Sequence, residues 1–232
     1  MIICIETATN LCSVALCSDK EVISLRESND QRTHASMLTV FIDEVLKESG
    51  IKAGDLGAVA VSKGPGSYTG LRIGVSVAKG IAFAASIPLI GIETTLSMFH
   101  GMKSRLEGEK DMNDNTLLCP MLDARRMEVY TALYSSSSGK IRDISAEIIT
   151  EASFSDIDIA RRIVFFGDGA EKCSKVIGRK NSVFIKDFSM SASYMRIPVF
   201  EAFSKGHFED LAYFEPFYLK DFIATTQRKN IL

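Results

Sequence analysis

The chain has no tryptophan and only three histidines, His34, His100 and His207, in 232 residues. Nothing in it reads HxxxH, HExxH or a Cys/His cluster, so the donor spacings of zinc hydrolases are missing. No GxSxG elbow is present to carry a strand–turn–helix serine nucleophile. The five cysteines, Cys4, Cys12, Cys17, Cys119 and Cys173, are an odd number without a CxxC pair. They read as reduced core thiols of a cytoplasmic protein, not as a disulfide framework. A long hydrophobic run is also missing. The most apolar stretch, Leu71 to Ile92, is interrupted by Arg72, Lys79 and Pro88, so no membrane span is expected. The opening residues, Met1 to Glu6, carry no basic leader before an apolar segment, and no secretory signal is expected. Charge of one sign is lacking as well. Twenty-seven lysines and arginines against 29 acids leave a net charge of −2, which indicates no globally basic surface. A local basic patch stays open, with Arg125, Arg126, Lys220, Arg228 and Lys229 as its candidates and solvated surface charge as the alternative.

What is present is an ordinary globular mixture, 46% hydrophobic and 24% charged, long enough for one large domain or two small ones. Apolar runs at Ile2–Ile5, Cys12–Cys17 and Glu21–Arg26 predict three strands. Met37, Leu38, Phe41, Ile42, Val45 and Leu46 recur at helical spacing, and Gly50 supplies a stop. A strand at Ala58–Val61, a helix from about Leu71 to Ala85 and a strand at Pro88–Ile92 complete a βββ-α-β-α-β order. The polar stretch Lys103–Asn115 reads as a linker. Beyond it the pattern partly repeats, with strands at Leu117–Leu122, Glu128–Tyr134, Ile141–Ile149 and Ile163–Phe166. A helix to about Ile177, a strand at Val183–Ile185 and a helical stretch Ser191–Lys205 containing Pro198 follow. The repetition predicts a duplicated α/β fold of two lobes, 1–102 and 103–232, with the tail packing back on the first.

Three features bear on function. Lys63-Gly64-Pro65-Gly66-Ser67-Tyr68-Thr69-Gly70 joins a strand to a helix, where glycines suit either a sharp turn or an anion site. It ends without Gly-Lys-Ser/Thr, which excludes a P-loop, and its spacing fails GxGxxG. In the helix that follows, Gly70, Gly74, Ala78, Ala82 and Ser86 make a ridge of small side chains that permits close approach of another element. A helix apolar nearly all round needs cover from its neighbour helix or from another subunit. Finally, Glu6, Asp123 and Asp168 lie at strand ends, Asp168 between Gly167 and Gly169. Strand ends converge on ligand clefts in two-lobed folds, where acids hold magnesium or water; capping of turns is the alternative.

Ile3-Cys4-Ile5-Glu6-Thr7-Ala8-Thr9, His34-Ala35-Ser36-Met37-Leu38, the GPGSYTGLRIG segment from Gly64 to Gly74, and Asp123-Ala124-Arg125-Arg126-Met127-Glu128-Val129-Tyr130 closely resemble the bacterial TsaB (YeaZ) family. Phe166-Gly167-Asp168-Gly169-Ala170 and Pro216-Phe217-Tyr218-Leu219 are similar to its later motifs, so the resemblance spans essentially the whole chain. It implies a two-lobed acetate-kinase/Hsp70/actin-like fold, each lobe ribonuclease-H-like. It also implies a non-catalytic role in forming N6-threonylcarbamoyladenosine beside the tRNA anticodon. The implied partners are the catalytic paralogue TsaD in a heterodimer, the ATPase TsaE in a ternary complex, a second copy when isolated, and tRNA indirectly. The helices at 34–49 and 70–86 are the implied docking surface, with Met37, Leu38, Phe41, Val45, Leu71, Gly74, Val75, Ala78 and Ala82 as its expected contact residues.

The paralogue resembles this chain around Ile90–Met98 but carries a metal-binding HxxxH, at positions occupied here by Thr94 and Met98. Neither replaces an imidazole ligand. No cofactor or metal is expected. Glu6, Asp123, Gly167, Asp168 and Gly169 remain nucleotide-site candidates at a lobe or subunit boundary. Glu6 stands where the family usually has Asp, and Lys63 where small residues or Arg are common. An ATP-dependent phosphotransferase of the same fold, with Glu6, Asp123 and Asp168 around magnesium, is the alternative function. A metallopeptidase is disfavoured by the histidine pattern.

Overall fold

Strands β1 (Ile2–Glu6) and β2 (Cys12–Cys17) are buried at every residue, so both faces of their sheet are covered. The computed structural model describes residues 1–29, 34–108 and 113–220. With β3 (Val22–Ser28), β4 (Ala58–Gly64) and β5 (Leu89–Glu93) these strands form a five-stranded sheet ordered β3-β2-β1-β4-β5. The β3-β2-β1 half is antiparallel and the β1-β4-β5 half parallel. A second sheet contains β6 (Thr116–Asp123), β7 (Glu128–Ser135), β8 (Gly139–Ile148), β9 (Arg162–Phe166) and β10 (Ser182–Ile185). Its order, β10-β9-β6-β7-β8, repeats the first, antiparallel through β8-β7-β6 and parallel through β6-β9-β10. The fold is therefore a duplicated, two-lobed α/β architecture with a ribonuclease-H-like sheet in each lobe.

One face of the first sheet presents Ile3, Ile5, Val14, Leu16, Val59 and Val61 to helices α1 (His34–Glu48) and α2 (Tyr68–Ala85). The other face presents Ile2, Cys4, Ala15 and Ala60 to Ala192, Met195 and Val199. Those three residues come from a 3-10 turn, Ala192–Met195, and helix α5 (Arg196–Ser204). The helical stretch around Pro198 thus restarts at Arg196 and places the proline in the first turn of α5, where its missing N–H costs no helix bond. On the second sheet, Leu118, Leu122, Tyr134 and Phe166 pack against Met98, Phe99 and Met102 of α3 (Thr94–Arg105). Its opposite face is closed by Phe154, Ile177 and the one-turn α4 (Ala170–Cys173). The division at residue 102 is thus crossed both ways: α3 serves the second sheet, and residues after 191 return to the first. No strand or helix was expected over Thr94–Arg105. Thr94, Thr95 and Ser97 are completely buried there, and these polar residues interrupt the apolar period that would announce a helix.

A strap after α5 runs back over the first lobe. Glu209 N–H donates to Leu89 O (2.9 Å) and Phe217 N–H to Lys63 O (2.6 Å). Lys79 Nζ of α2 donates to the Phe214 carbonyl (3.0 Å), and Arg72 Nε to the Tyr218 hydroxyl (3.3 Å). The strap then reaches the second lobe, where Lys220 pairs with Glu128. Among the described residues no helix is long and apolar enough to cross a membrane.

The small-residue ridge of α2 points inward. A side chain on Gly70 would overlap the Thr7 carbonyl, and one on Gly74 the Thr7 hydroxyl. Ala78 and Ala82 are 0% and 1% exposed. The ridge exists because α2 presses on the chain's own β1 end, and Gly74, Ala78 and Ala82, expected as contacts to a partner, pack inside the lobe. Leu38, Phe41, Val45, Leu71 and Val75 are likewise core residues, and Met37 is half-buried against them. Apart from Met37, these side chains are desolvated inside the lobe. Gly74→Ala should lower the unfolding free energy by roughly 1–3 kcal/mol through overpacking. Gly80→Ala, on the open side of the same helix with nothing within 4 Å, should raise it by about 0.5–1 kcal/mol. Urea titrations of the two variants measure both.

Candidate functional site

The ends of β1, β6 and β9 meet between the lobes. The loop after β9 brings Gly167, Asp168 and Gly169 against the end of β6. Asp123 N–H donates to Asp168 Oδ1 (2.9 Å), and Gly169 N–H to Met121 O (3.0 Å). Gly167 has φ +106°, and a side chain there would overlap Met121 O and lie 2.5 Å from Met98 Cε. Asp123 Oδ1 accepts from Arg125 N–H (2.9 Å) and from Lys172 Nζ. Lys172 also donates to Glu128 O (2.7 Å). Desolvation pushes the Asp168 carboxyl above its ordinary pKa, opposed by the hydrogen bond from the Asp123 backbone.

Glu6 is a separate case. It is 0% exposed, with Oε1 accepting from Ala8 N–H (2.6 Å) and Oε2 from the Ser62 hydroxyl. Burial raises its pKa from 4.5 to about 7, against the lowering effect of the Ser62, Ala8 and Thr7 hydrogen bonds. The cavity between Asp168, Thr9, Asn10, Met98, Phe188 and Met190 holds about 120 Å³. Small-molecule pockets usually measure about 300–1,000 Å³. Four of the five nucleotide-site candidates, Asp123, Gly167, Asp168 and Gly169, therefore come together, but as an internal lock on the β6 end. Glu6 is hydrogen-bonded elsewhere in the core. The acids have internal partners, and Met98, Phe188 and Met190 line the small cavity beside Asp168.

Thr94 and Met98 lie one helical turn apart at the start of α3, completely buried. The Thr94 hydroxyl has no hydrogen-bond partner among the described residues. The Met98 methyl occupies the space below Gly167. A hydroxyl and a thioether do not fit a metal that imidazoles would hold. Among the described residues no three His, Cys, Asp or Glu side chains group as metal ligands. His100 is half-buried beside the Phe99 ring (5.1 Å), and desolvation lowers its pKa. His207 is exposed. The side chain of His34, and Arg228 and Lys229, lie outside the described residues.

The glycine loop resolves as a structural turn. Ser67 N–H donates to Ala8 O (2.6 Å), a side chain on Gly66 would overlap that same carbonyl, and Ser67 Oγ caps α2 by accepting from Gly70 N–H (3.3 Å). Lys63 is held by Glu209 of the strap at 3.4 Å. Sequence reasoning missed a larger opening of about 590 Å³ between Lys63, Glu93, Lys140 and the strap. Its cations are matched by acids, Lys140 with Glu93 at 3.0 Å and Lys63 with Glu209.

The remaining feature is the outer side of α1 and α2. Phe83 is 78% exposed and Val40 42%. Ile73, Val77 and Ile81 of α2 are half-buried against the lobe's core, and Gly80 is open. A phenylalanine this exposed on a regular helix has no partner within its own lobe. The signal was legible in the large apolar residues flanking the ridge, not in the ridge itself.

Glu6 gives a pH prediction. Because its folded pKa exceeds its unfolded value, the folded state binds the extra proton between about pH 4.5 and 7. Stability present below pH 4.5 is lost as pH rises through 7, by up to about 3 kcal/mol. Glu6→Gln should flatten this slope and be at least as stable as the parent at pH 8. Parallel urea melts at pH 5 and pH 8 read the difference, and equal slopes would contradict it.

The family model described as "TsaD: tRNA N6-adenosine threonylcarbamoyltransferase" matches residues 22–213. The chain is 29% identical over 233 residues to the Escherichia coli "tRNA threonylcarbamoyladenosine biosynthesis protein TsaB", covering 96% of each chain. It is 36% identical over 129 residues to the Haemophilus influenzae protein of that name, covering 56% of this chain and 51% of the other. The solved structure of YeaZ from Pseudomonas aeruginosa superposes with a TM-score of 0.78 at 23% identity, over 94% of this chain and 99% of that one, and shares its fold. By the extent of the family match and by these likenesses, the chain belongs to the threonylcarbamoyltransferase (TsaD) family and, within it, to the TsaB (YeaZ) proteins.

Proposed function

We propose that the chain is the non-catalytic partner subunit of a tRNA threonylcarbamoyltransferase, supporting N6-threonylcarbamoyladenosine formation. The supporting relatives are named as biosynthesis proteins of that modification. The observation that carries the reading is the combination of a filled cleft and an open helix face. The cleft holds about 120 Å³, below the usual range of small-molecule pockets, and its acids have internal partners, which supports a role without an acyl donor or nucleotide there. The α1–α2 face, by contrast, displays Phe83 and Val40 to solvent. Docking a helix pair of this size against the catalytic TsaD would bury about 800 Å² per partner. An exposed aromatic such as Phe83, in the last turn of α2, is a usual anchor of such an interface. The same face serves a second copy when the partner is absent. TsaE joins the pair, tRNA is engaged through TsaD, and the assembly works in the cytoplasm. The phosphotransferase alternative would need magnesium at Glu6, Asp123 and Asp168, and their internal bonding speaks against it.

Ala78→Arg would place a charge in the core and unfold the lobe, so it cannot report on docking. Phe83→Asp should leave the melting temperature within a few degrees of the parent and weaken co-purification with TsaD at least ten-fold. Undiminished capture by Phe83→Asp would sink the helix-face assignment. In reconstitution, the chain alone should transfer no threonylcarbamoyl group to tRNA, and adding it to TsaD and TsaE should raise their rate. Transfer by the chain alone would sink the non-catalytic reading.

A further inference from the structure

The strap carries the most exposed aromatic ring among the described residues, Tyr213 at 85%. The backbone beneath it is fastened. Asp210 Oδ1 accepts from the N–H groups of Ala212 (2.8 Å) and Tyr213 (3.3 Å), and the Asp210 carbonyl accepts from Phe214 N–H (2.8 Å). These bonds close residues 210–214 into a turn. Leu211 and Phe214 pack inward on the first-lobe core, which leaves Tyr213 pointing out. From α2, Lys79 Nζ donates to the Ala212 carbonyl (3.4 Å) and the Phe214 carbonyl (3.0 Å), one on each side of Tyr213. A ring presented on backbone held in this way has little freedom left to lose on binding.

Lys79 also fixes where the ring lies. Phe83 stands one turn after Lys79 on α2 and shares its face. Two exposed rings from distant parts of the chain therefore flank the same lysine. On its other side the face ends sooner. Beyond Val40 the outer stripe of α1 continues as Asp43, Glu44 and Lys47. These are engaged in the pairs Lys47–Asp43 (2.7 Å) and Arg26–Glu44 (3.1 Å). Charges of this kind belong to the rim of an interface and are depleted from its core. Phe83 and Val40 supply only part of the contact, since one aromatic side chain buries about 150–250 Å² and a stable interface about 800 Å² per partner. The apolar surface thus continues from Phe83 toward the strap, not across α1.

We propose that the docking surface for the catalytic subunit extends from α2 onto the strap, with Tyr213 as a second anchor beside Phe83. The inference rests on the partner-subunit reading and deepens it by committing the strap to the same partner. Continuity carries the choice of occupant. A protein seated on Phe83 over about 800 Å² reaches the turn that Lys79 holds against the same helix. Tyrosine is enriched among the side chains that dominate such interfaces, because its ring brings a large area at a low cost in side-chain entropy.

The test is the affinity of the full chain for TsaD, read by interferometry. Tyr213→Ala removes an exposed ring, so it should melt within a few degrees of the parent and bind TsaD roughly ten-fold more weakly. Replacing Tyr213 by photo-activatable benzoylphenylalanine should cross-link the chain to TsaD. Unchanged affinity of Tyr213→Ala, or no cross-link from position 213 in a complex that forms, would overturn the proposal. So would a loss of self-association with TsaD binding intact, which would assign the strap to a second copy. Phe83→Asp separates this inference from the wider reading. If Phe83→Asp loses TsaD and Tyr213→Ala binds as the parent does, only the strap assignment fails. If Tyr213→Ala loses TsaD and Phe83→Asp does not, the helix-face assignment fails and the strap stands. A parent that does not bind TsaD overturns both.

Discussion

Helix α2 can lie against the end of β1 only because residues 70 and 74 have no side chains. The Thr7 hydroxyl donates to the Gly70 carbonyl at 2.8 Å, and the backbone of Thr7 fills the space where a Cβ on Gly70 would sit. This contact fixes the rest of the first lobe. It draws Ser67 onto the Ala8 carbonyl, which sets the turn that starts α2. It brings Val75, Ala78 and Ala82 down onto the sheet beside Leu38 and Val45 of α1. With one side of the helix committed to so close an approach, its larger side chains are left on the flank and the outside. Phe83 is exposed as a consequence of how tightly Gly74 is buried.

The same geometry explains why the lobes do not separate at the polar linker. Each sheet needs cover on two faces, and the chain supplies it by exchange. Helix α3 follows the first sheet in sequence but buries Met98, Phe99 and Met102 against the second. Residues 192–199 follow the second sheet but cover the first, and the Ala192 N–H donates to Ser13 Oγ at 2.9 Å. The strap continues this exchange until Lys220 meets Glu128. Hydrophobic burial on both sides of the boundary couples the lobes more firmly than the exposed ion pairs, each worth about 0–1 kcal/mol.

Strand identity and the duplication were legible because buried parallel strands are continuous apolar runs, as at Ala58–Val61 and Ile163–Phe166. The small-residue ridge was legible as a close contact, but not as a contact with Thr7. Spacing reports that something approaches a helix face and says nothing of what approaches. Helix α3 was hidden by buried Thr94, Thr95 and Ser97. The convergence of Asp123 and Asp168 followed from strand-end logic. Their neutralisation did not, because Lys172 lies 49 positions from Asp123 in sequence. The resemblance to a known family supplied what periodicity could not: the ribonuclease-H-like character of each lobe, and the expectation that Thr94 and Met98 stand where a catalytic paralogue has metal ligands.

A cleft between two such lobes is where polar groups at strand ends would face a ligand. Here each one has been turned to an internal use. Glu6 is largely protonated below pH 7 and bonded to Ser62; Asp168 braces the β6 end; Asp123 is matched by Lys172; and Met98 fills the space beside Gly167. Burying the Glu6 carboxyl costs free energy unless its neighbours compensate, and its hydrogen bonds supply that compensation. Among the described residues, Phe83 on the α2 flank and Arg125 and Arg126 at the β6–β7 turn are exposed outside the cleft.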